Sequence, residues 1–157
     1  MGTRSTIALE YADGTVEQVY CHWDGYLEHN GVLLSKHYSN PFILRDLIDL
    51  GDVSSLKPTI GTKHAFSQFE VPMDGEAYDK LYGDMTTFYG RDRGEDGVSA
   101  KKFKDFADYK ENHQYEEYEY ILREVNGTAV WFVAEHSDTY MPLTEALSKC
   151  NAEECVA

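Results

Sequence analysis

The chain contains two stretches in which apolar and polar residues alternate with the period of a β-strand, and a turn dipeptide interrupts each stretch. The dipeptides are Asp13-Gly14 near the N-terminus and Asn126-Gly127 near the C-terminus. The flanking segments are 4–11 with 15–22, and 115–125 with 128–135. Because Asx-Gly sequences accept the positive φ angles of a two-residue hairpin turn, the pattern predicts one β-hairpin near each end of the chain.

Between the two hairpins, apolar residues recur at helical spacing. Asn40 followed by Pro41 is typical of a helix start, and the helix from Pro41 is expected to end at Gly51. Its apolar stripe consists of Ile43, Leu44, Leu47 and Ile48. Shorter helices are predicted within 31–38, 103–110 and 142–149. These elements predict an α+β fold, with an antiparallel sheet built from N- and C-terminal β-hairpins and packed with three to four short helices.

Residues 52–100 have a weaker pattern, because glycines and prolines interrupt short apolar pieces. The piece at 85–89 predicts one strand edged by long loops. No internal repeat or linker divides the sequence. Residues 1–157 are therefore expected to form a single domain, with 150–157 as a flexible tail.

Composition supports folding and restricts the classes of partner. A chain of 157 residues with 42% hydrophobic and 13% aromatic content can form one core. Its 28 acidic and 14 basic residues give a net charge of −14, which opposes direct nucleic-acid and membrane binding and favours a partner with a basic surface. Three irregularly spaced cysteines and the lack of an apolar signal core predict free thiols and a cytoplasmic location.

Motifs of common catalytic centres do not occur in the sequence. There is no HExxH or paired-cysteine spacing for zinc, no nucleophile elbow, and no glycine-rich phosphate loop followed by lysine. The sequence therefore predicts no cofactor and no metal, and it favours a binding protein over an enzyme.

Acidic residues are concentrated in the last third of the chain. From Asp105 onward there are twelve acidic and three basic residues, so 3 − 12 leaves a net charge of −9. Helical and strand spacing predict two projecting acidic rows. The predicted partner-binding residues are Asp105, Asp108, Glu111, Tyr115, Glu116, Glu117, Tyr118 and Glu119. The alternative is that these carboxylates only solvate the outer side of a hairpin and a helix.

Two loops contain a different set of polar residues. His22 and Asp24 point the same way if they lie on an extended strand end, where they could share a proton or a metal. Charged residues at 91–95 could balance that charge or bind an anion. A small enzyme or ligand-binding domain would use His22, Asp24, Arg91, Arg93 and Glu95. The alternative is a hydrogen-bonded histidine and an internal salt-bridge network that holds the second loop.

Four segments of the chain resemble a known protein family. They are TRSTIAL at 3–9, YCHWDGY at 20–26, LGDVSSL at 50–56 and YGRDRGE at 89–95. The chain resembles a family of small, functionally uncharacterised proteins of tailed phages and prophages, and the resemblance runs over most of its length. It implies a phage setting, without an activity, a cofactor or catalytic residues.

In a phage setting, small acidic proteins often bind and disable host or defence proteins, sometimes by imitating the charge of DNA. The resemblance and the charge together predict an acidic protein that binds and inhibits such a protein through a negatively charged, tyrosine-rich surface. The partner would carry a basic surface, and both proteins would act in the host cytoplasm. The oligomeric state is left open by the sequence.

Overall fold

A mixed β-sheet forms the centre of the molecule. The computed structural model describes residues 2–152 and shows eight strands within them. They are β1 (Ser5–Glu10), β2 (Val16–Cys21), β3 (Val53–Ser55), β4 (Thr87–Phe88), β5 (Lys101–Phe103), β6 (Tyr118–Val125), β7 (Thr128–Glu135) and β8 (Met141–Pro142). The order is β4-β3-β2-β1-β6-β7-β8, and β5 also pairs with β2. The α+β class predicted from the sequence is confirmed.

Both predicted hairpins are present. β1 pairs antiparallel with β2, and β6 pairs antiparallel with β7. The second turn has φ angles of 52° at Asn126 and 83° at Gly127, the conformation that this dipeptide favours.

The sheet is not antiparallel throughout, which corrects the prediction. β1 lies between β2 and β6 and runs parallel to β6, with Ser5 opposite Tyr118 and Leu9 opposite Leu122. Its first five residues are buried, because both faces of this central strand are covered.

Three helices cover one face of the sheet. They are α1 (Val32–His37), α2 (Pro41–Asp49) and α6 (Leu143–Ala152), and a π-helical turn at Leu27–Gly31 precedes α1. As predicted, α2 begins after Asn40, whose side chain accepts a hydrogen bond from the Phe42 N–H. Leu44, Leu47 and Ile48 are buried in the core, whereas Ile43 is 43% exposed at the rim of the helix.

The opposite face is covered by the short helix α5 (Phe106–Asn112). Its buried Tyr109 packs with Ala8 and Ile121 of the central strands and with Phe103 of β5. The second face therefore has its own, smaller apolar cluster, and polar residues on that face of β1 and β6 lie inside the protein.

Residues 52–100 contain more regular structure than the sequence predicted. The strand expected within 85–89 is β4, and it pairs with β3. Two helices were not predicted, α3 (Gly75–Tyr82) and α4 (Tyr89–Arg93). Helix α3 has no buried residue and α4 has five residues, so neither produces an apolar stripe that a sequence pattern would detect. The described residues thus contain six α-helices, where three to four were expected.

The C-terminal prediction is only partly within the described residues. Residues 150–152 belong to α6, so the predicted tail does not begin at 150, and residues 153–157 lie outside the described part of the chain. Cys21 is a buried free thiol, but Cys150 is disulfide-bonded, which corrects the expectation of free thiols there. Among the described helices, none is long and apolar enough to cross a membrane.

Candidate functional site

The four sequence motifs at 3–9, 20–26, 50–56 and 89–95 meet at one end of the sheet, which we call the motif corner. Backbone hydrogen bonds join them directly. The Gly25 N–H donates to the Thr3 carbonyl at 2.8 Å, and the His22 N–H donates to the Val53 carbonyl at 3.0 Å. These segments, far apart in the sequence, form one connected part of the fold.

His22 and Asp24 do not lie on a continuous strand within the motif corner. β2 ends at Cys21, and Asp24 has a φ of 56°. The His22 Nδ1 atom lies 2.7 Å from the Tyr20 hydroxyl. In the described part of the chain, no hydrogen bond or ion pair joins His22 to Asp24. The paired orientation expected for a shared proton or metal is therefore not formed.

Arg91 holds the second loop together through the buried carboxylate of Asp92. Asp92 accepts hydrogen bonds from the backbone N–H groups of His64 at 3.1 Å and Phe88 at 2.8 Å, and from Arg91 Nε at 3.0 Å. The Arg91 guanidinium also donates to the carbonyls of Ile60 and Thr86. This pair fits the salt-bridge alternative.

Arg93 and Glu95 form a separate, exposed ion pair. The Arg93 guanidinium lies 4.4 Å from the centre of the Phe66 ring and 5.2 Å from that of Tyr89. Among residues 2–152, no hydrogen bond or ion pair connects either partner to His22. The motif corner brings the two loops together, but their candidate catalytic side chains bond to different partners.

Lysines accompany the acidic row predicted on α5. Asp105 caps the helix by accepting from the Asp108 N–H at 2.8 Å, and Asp108 accepts from the Lys104 N–H at 2.9 Å. That hydrogen bond lowers the pKa of the Asp108 carboxyl. Four lysines and three acidic residues lie within 101–111: Lys101, Lys102, Lys104 and Lys110 with Asp105, Asp108 and Glu111. The α5 row is therefore balanced in charge and does not form a negative surface.

Glu119 is buried, so the prediction that it contacts a partner is wrong. Its 1% exposure follows from the strand period, since Glu119 shares a face of β6 with Ile121 and α5 covers that face. Glu119 Oε1 accepts a hydrogen bond from the Tyr140 hydroxyl at 2.9 Å and lies 3.1 Å from His113 Nε2. The Tyr140 hydroxyl is also 3.2 Å from that of Tyr109.

Glu119 and His113 favour their uncharged forms. Burial raises the pKa of Glu119 to about 7, and burial lowers the pKa of His113. His113 Nδ1 lies 2.8 Å from the Gln114 carbonyl, which places the imidazole proton on that nitrogen and leaves Nε2 toward Glu119. Sequence reasoning missed this buried polar cluster, although the apolar Ile121 two residues after Glu119 indicates that this face of the strand is covered.

Three carboxylates remain outward-facing at the same end of the sheet as the motif corner. Glu28, Glu117 and Glu135 surround Tyr118, and we call these four residues the acidic sheet end. Burial and then the charges of Glu135, Glu28 and Glu117 raise the pKa of the Tyr118 hydroxyl. None of these carboxylates forms an ion pair with a described basic residue.

Two further predicted contact residues lie just before β6. Tyr115 is 54% exposed, and the centre of its ring lies 4.1 Å from the centre of the His113 ring. Glu116 accepts a hydrogen bond from Gln114 Nε2 at 2.8 Å and is half-buried. Of the predicted contact set, Tyr115 and Glu117 are exposed near the acidic sheet end, whereas Glu116 and Tyr118 are partly covered.

No family model, curated protein or solved structure matches this chain. The described residues also bring no three histidine, cysteine or acidic side chains together as a candidate metal site. What the chain can do is therefore inferred from its own surfaces and clefts.

Proposed function

We propose that this protein binds a basic surface patch on a host or defence protein through its acidic sheet end and thereby inhibits that protein. The observation that supports this proposal is the grouping of Glu28, Glu117 and Glu135 around Tyr118, with no ion pair to any described basic residue. Glu117 accepts one long hydrogen bond from the Arg4 backbone N–H at 3.4 Å, and carboxylates that form no ion pair within their own fold can pair with cations of another molecule.

The surroundings of the acidic sheet end suit a protein partner. Trp23 is 42% exposed in the motif corner, and Tyr115 is 54% exposed beside β6. Large aromatic side chains contribute much of the energy at protein interfaces, because they bury a large area with few rotatable bonds. The net charge of −14 adds a long-range attraction that would speed association with a cationic surface.

The proposed contact is smaller than the two acidic rows expected from the sequence. The α5 row is balanced by lysines and Glu119 is buried, so a long array of charges resembling a DNA backbone receives little support. A compact basic patch is the better match. The enzyme alternative is also weakened, because Arg91 is bonded to buried Asp92 and His22 to Tyr20.

Charge reversal tests the proposal directly. A tagged wild-type protein, the double variant E117K/E135K and the control E76K/D84K would each capture proteins from host cells at low and high salt. The control changes the net charge equally at exposed sites on or beside α3. A captured partner would then be purified, identified and titrated against all three proteins.

An exposed ion pair contributes about 0.2–1 kcal/mol, and each reversal also adds repulsion, so E117K/E135K is expected to weaken binding about tenfold or more. The control is expected to remain within about twofold of wild type at physiological salt, where the Debye length is about 8 Å. Equal loss in both variants would show that only the total charge matters. Binding that tolerates both reversals would refute the proposed surface.

A further inference from the structure

A cleft of about 490 Å³ opens on the α5 side of the sheet. It is lined by Phe106, Lys110, Arg123, Phe132, Asp138, Thr139 and Tyr140. Small-molecule sites commonly occupy about 300–1,000 Å³ and combine aromatic walls with a few placed polar groups. The cleft has both the volume and this kind of lining.

Positive charge is concentrated at this cleft within an otherwise acidic part of the chain. From Asp105 onward the sequence has three basic residues, Lys110, Arg123 and Lys149, and the first two line the cleft. Lys110 forms no ion pair with any described acidic residue. Asp138 is the one carboxylate among the lining residues, and it is exposed at the rim.

Arg123 is held in place before any ligand arrives. Its Nε and Nη2 atoms donate to the two carboxylate oxygens of Glu10, each at 3.2 Å. Its guanidinium carbon lies 3.6 Å from the centre of the Phe106 ring. Nη1 makes no hydrogen bond to the described residues, so it keeps its donors for a ligand. Lys110 Nζ lies 5.7 Å from the centre of the same ring, which gathers both cations at one wall.

The aromatic wall of the cleft is also fixed. The Tyr140 hydroxyl donates a hydrogen bond to the buried Glu119 carboxyl at 2.9 Å. The ring centres of Tyr140 and Phe106 lie 6.1 Å apart, and the two ring planes make an angle of 66°. Phe132 lies nearby on β7. Rigid rings of this kind offer a surface against which a flat ligand can stack with little loss of side-chain freedom.

We propose that this cleft binds a planar aromatic anion, for which a nucleoside monophosphate is the representative class. The ligand ring would contact Phe106, Phe132 and Tyr140, and its phosphate would meet Arg123 Nη1 and Lys110 Nζ. A ring without an anion would leave Lys110 Nζ and the free Arg123 Nη1 without an acceptor, and an anion without a ring would leave the aromatic wall uncovered.

Isothermal titration calorimetry with AMP as the probe tests this site, with adenosine and inorganic phosphate as the separated halves of the ligand. AMP is expected to bind at least tenfold more tightly than either half. Phosphate binding as tight as AMP binding would reduce the cleft to a simple anion site and overturn the proposal. No measurable AMP binding would overturn it as well.

Two single variants and a control locate the binding. K110Q removes an exposed cation and is expected to lower the affinity for AMP at least fivefold without changing the urea midpoint of unfolding. D138N removes the carboxylate that would repel the phosphate, so this variant is expected to bind AMP more tightly. Misfolding would not produce such a gain in affinity. K80Q makes the same charge change as K110Q on α3, outside the cleft, and is expected to leave AMP binding unchanged. Equal weakening by K110Q and K80Q would show an unspecific charge effect.

Discussion

The buried carboxylate of Asp92 provides the sharpest test of how the 89–95 segment of the motif corner is anchored to the rest of the fold. Asp92 accepts two backbone N–H groups and two guanidinium N–H groups, at 2.8–3.2 Å, and its side chain has no solvent exposure. In D92N, an NH2 group replaces one of the two carboxylate oxygens. This NH2 group cannot accept a hydrogen bond, so about half of these bonds are lost, and its own N–H donors face the N–H donors of the backbone or of Arg91. The Arg91 charge, only 13% exposed, also loses its partner.

A hydrogen bond to a charged group contributes about 1.5–3 kcal/mol, and breaking a buried ion pair costs about 3–5 kcal/mol. We therefore expect D92N to lower the free energy of unfolding by about 4 kcal/mol, a large share of the roughly 5–15 kcal/mol typical of a domain. With a urea m-value of about 2 kcal/mol/M, the midpoint would fall by about 2 M.

The matched control is E95Q, which makes the same carboxylate-to-amide change three residues later. Glu95 pairs with Arg93 on the surface, and both side chains are more than a third exposed. An exposed pair contributes about 0–1 kcal/mol, so E95Q should leave the urea midpoint nearly unchanged. The reasoning would be refuted if D92N and E95Q shifted the midpoint equally, or if D92N cost less than about 1 kcal/mol.

Three further predictions concern Glu119 and two helix caps. Burial raises the pKa of Glu119 from 4.5 to about 7, so the folded protein retains a proton that the unfolded chain releases, and wild-type stability should fall as pH rises through this window. In urea titrations between pH 4.5 and pH 8, the free energy of unfolding of E119Q should rise by up to about 3 kcal/mol relative to that of wild type. If the free energies of the two proteins changed in parallel with pH, Glu119 would be ionised in the folded protein and the prediction would be wrong. N40A should lower global stability by about 1 kcal/mol, because α2 packs on the core. D74A should instead increase amide hydrogen exchange only within α3, because this helix buries no residue and can open locally. A loss of global stability as large as that expected for N40A would contradict this prediction.

Features with a local cause could be predicted from the sequence. The Asn126-Gly127 turn and the Asn40-Pro41 helix start each act within a few residues, and both are present as predicted. At 13–14 the prediction holds only in part, because Gly14 has a positive φ but Asp13 does not, and the first hairpin closes through residues 11–15 rather than through a two-residue turn. The parallel pairing of β1 with β6 could not be predicted in this way, because it depends on contacts between segments more than a hundred residues apart.

The candidate site was harder to predict than the fold. Glu119 was counted with the outward-facing acids because it lies two residues after exposed Glu117, but Tyr109, His113 and Tyr140 come from two other segments and enclose it. The charge balance of α5 was missed for a similar reason, since the compensating lysines of β5 precede the acidic run in the sequence. The hydrophobic pattern and the charge of one segment do not reveal which side chains of another segment will cover or neutralise it in the fold.

The central position of β1 has a consequence for how the protein is made. The first hairpin leaves the ribosome early, but β1 lacks its second neighbour until Tyr118–Val125 has been synthesised. Until then, one side of β1 exposes unpaired backbone N–H and C=O groups beside Ile7 and Leu9, which invites pairing with a neighbouring nascent chain. Slow translation of the intervening hundred residues should therefore lower the yield of native protein, and chaperones that shield strand edges should restore it.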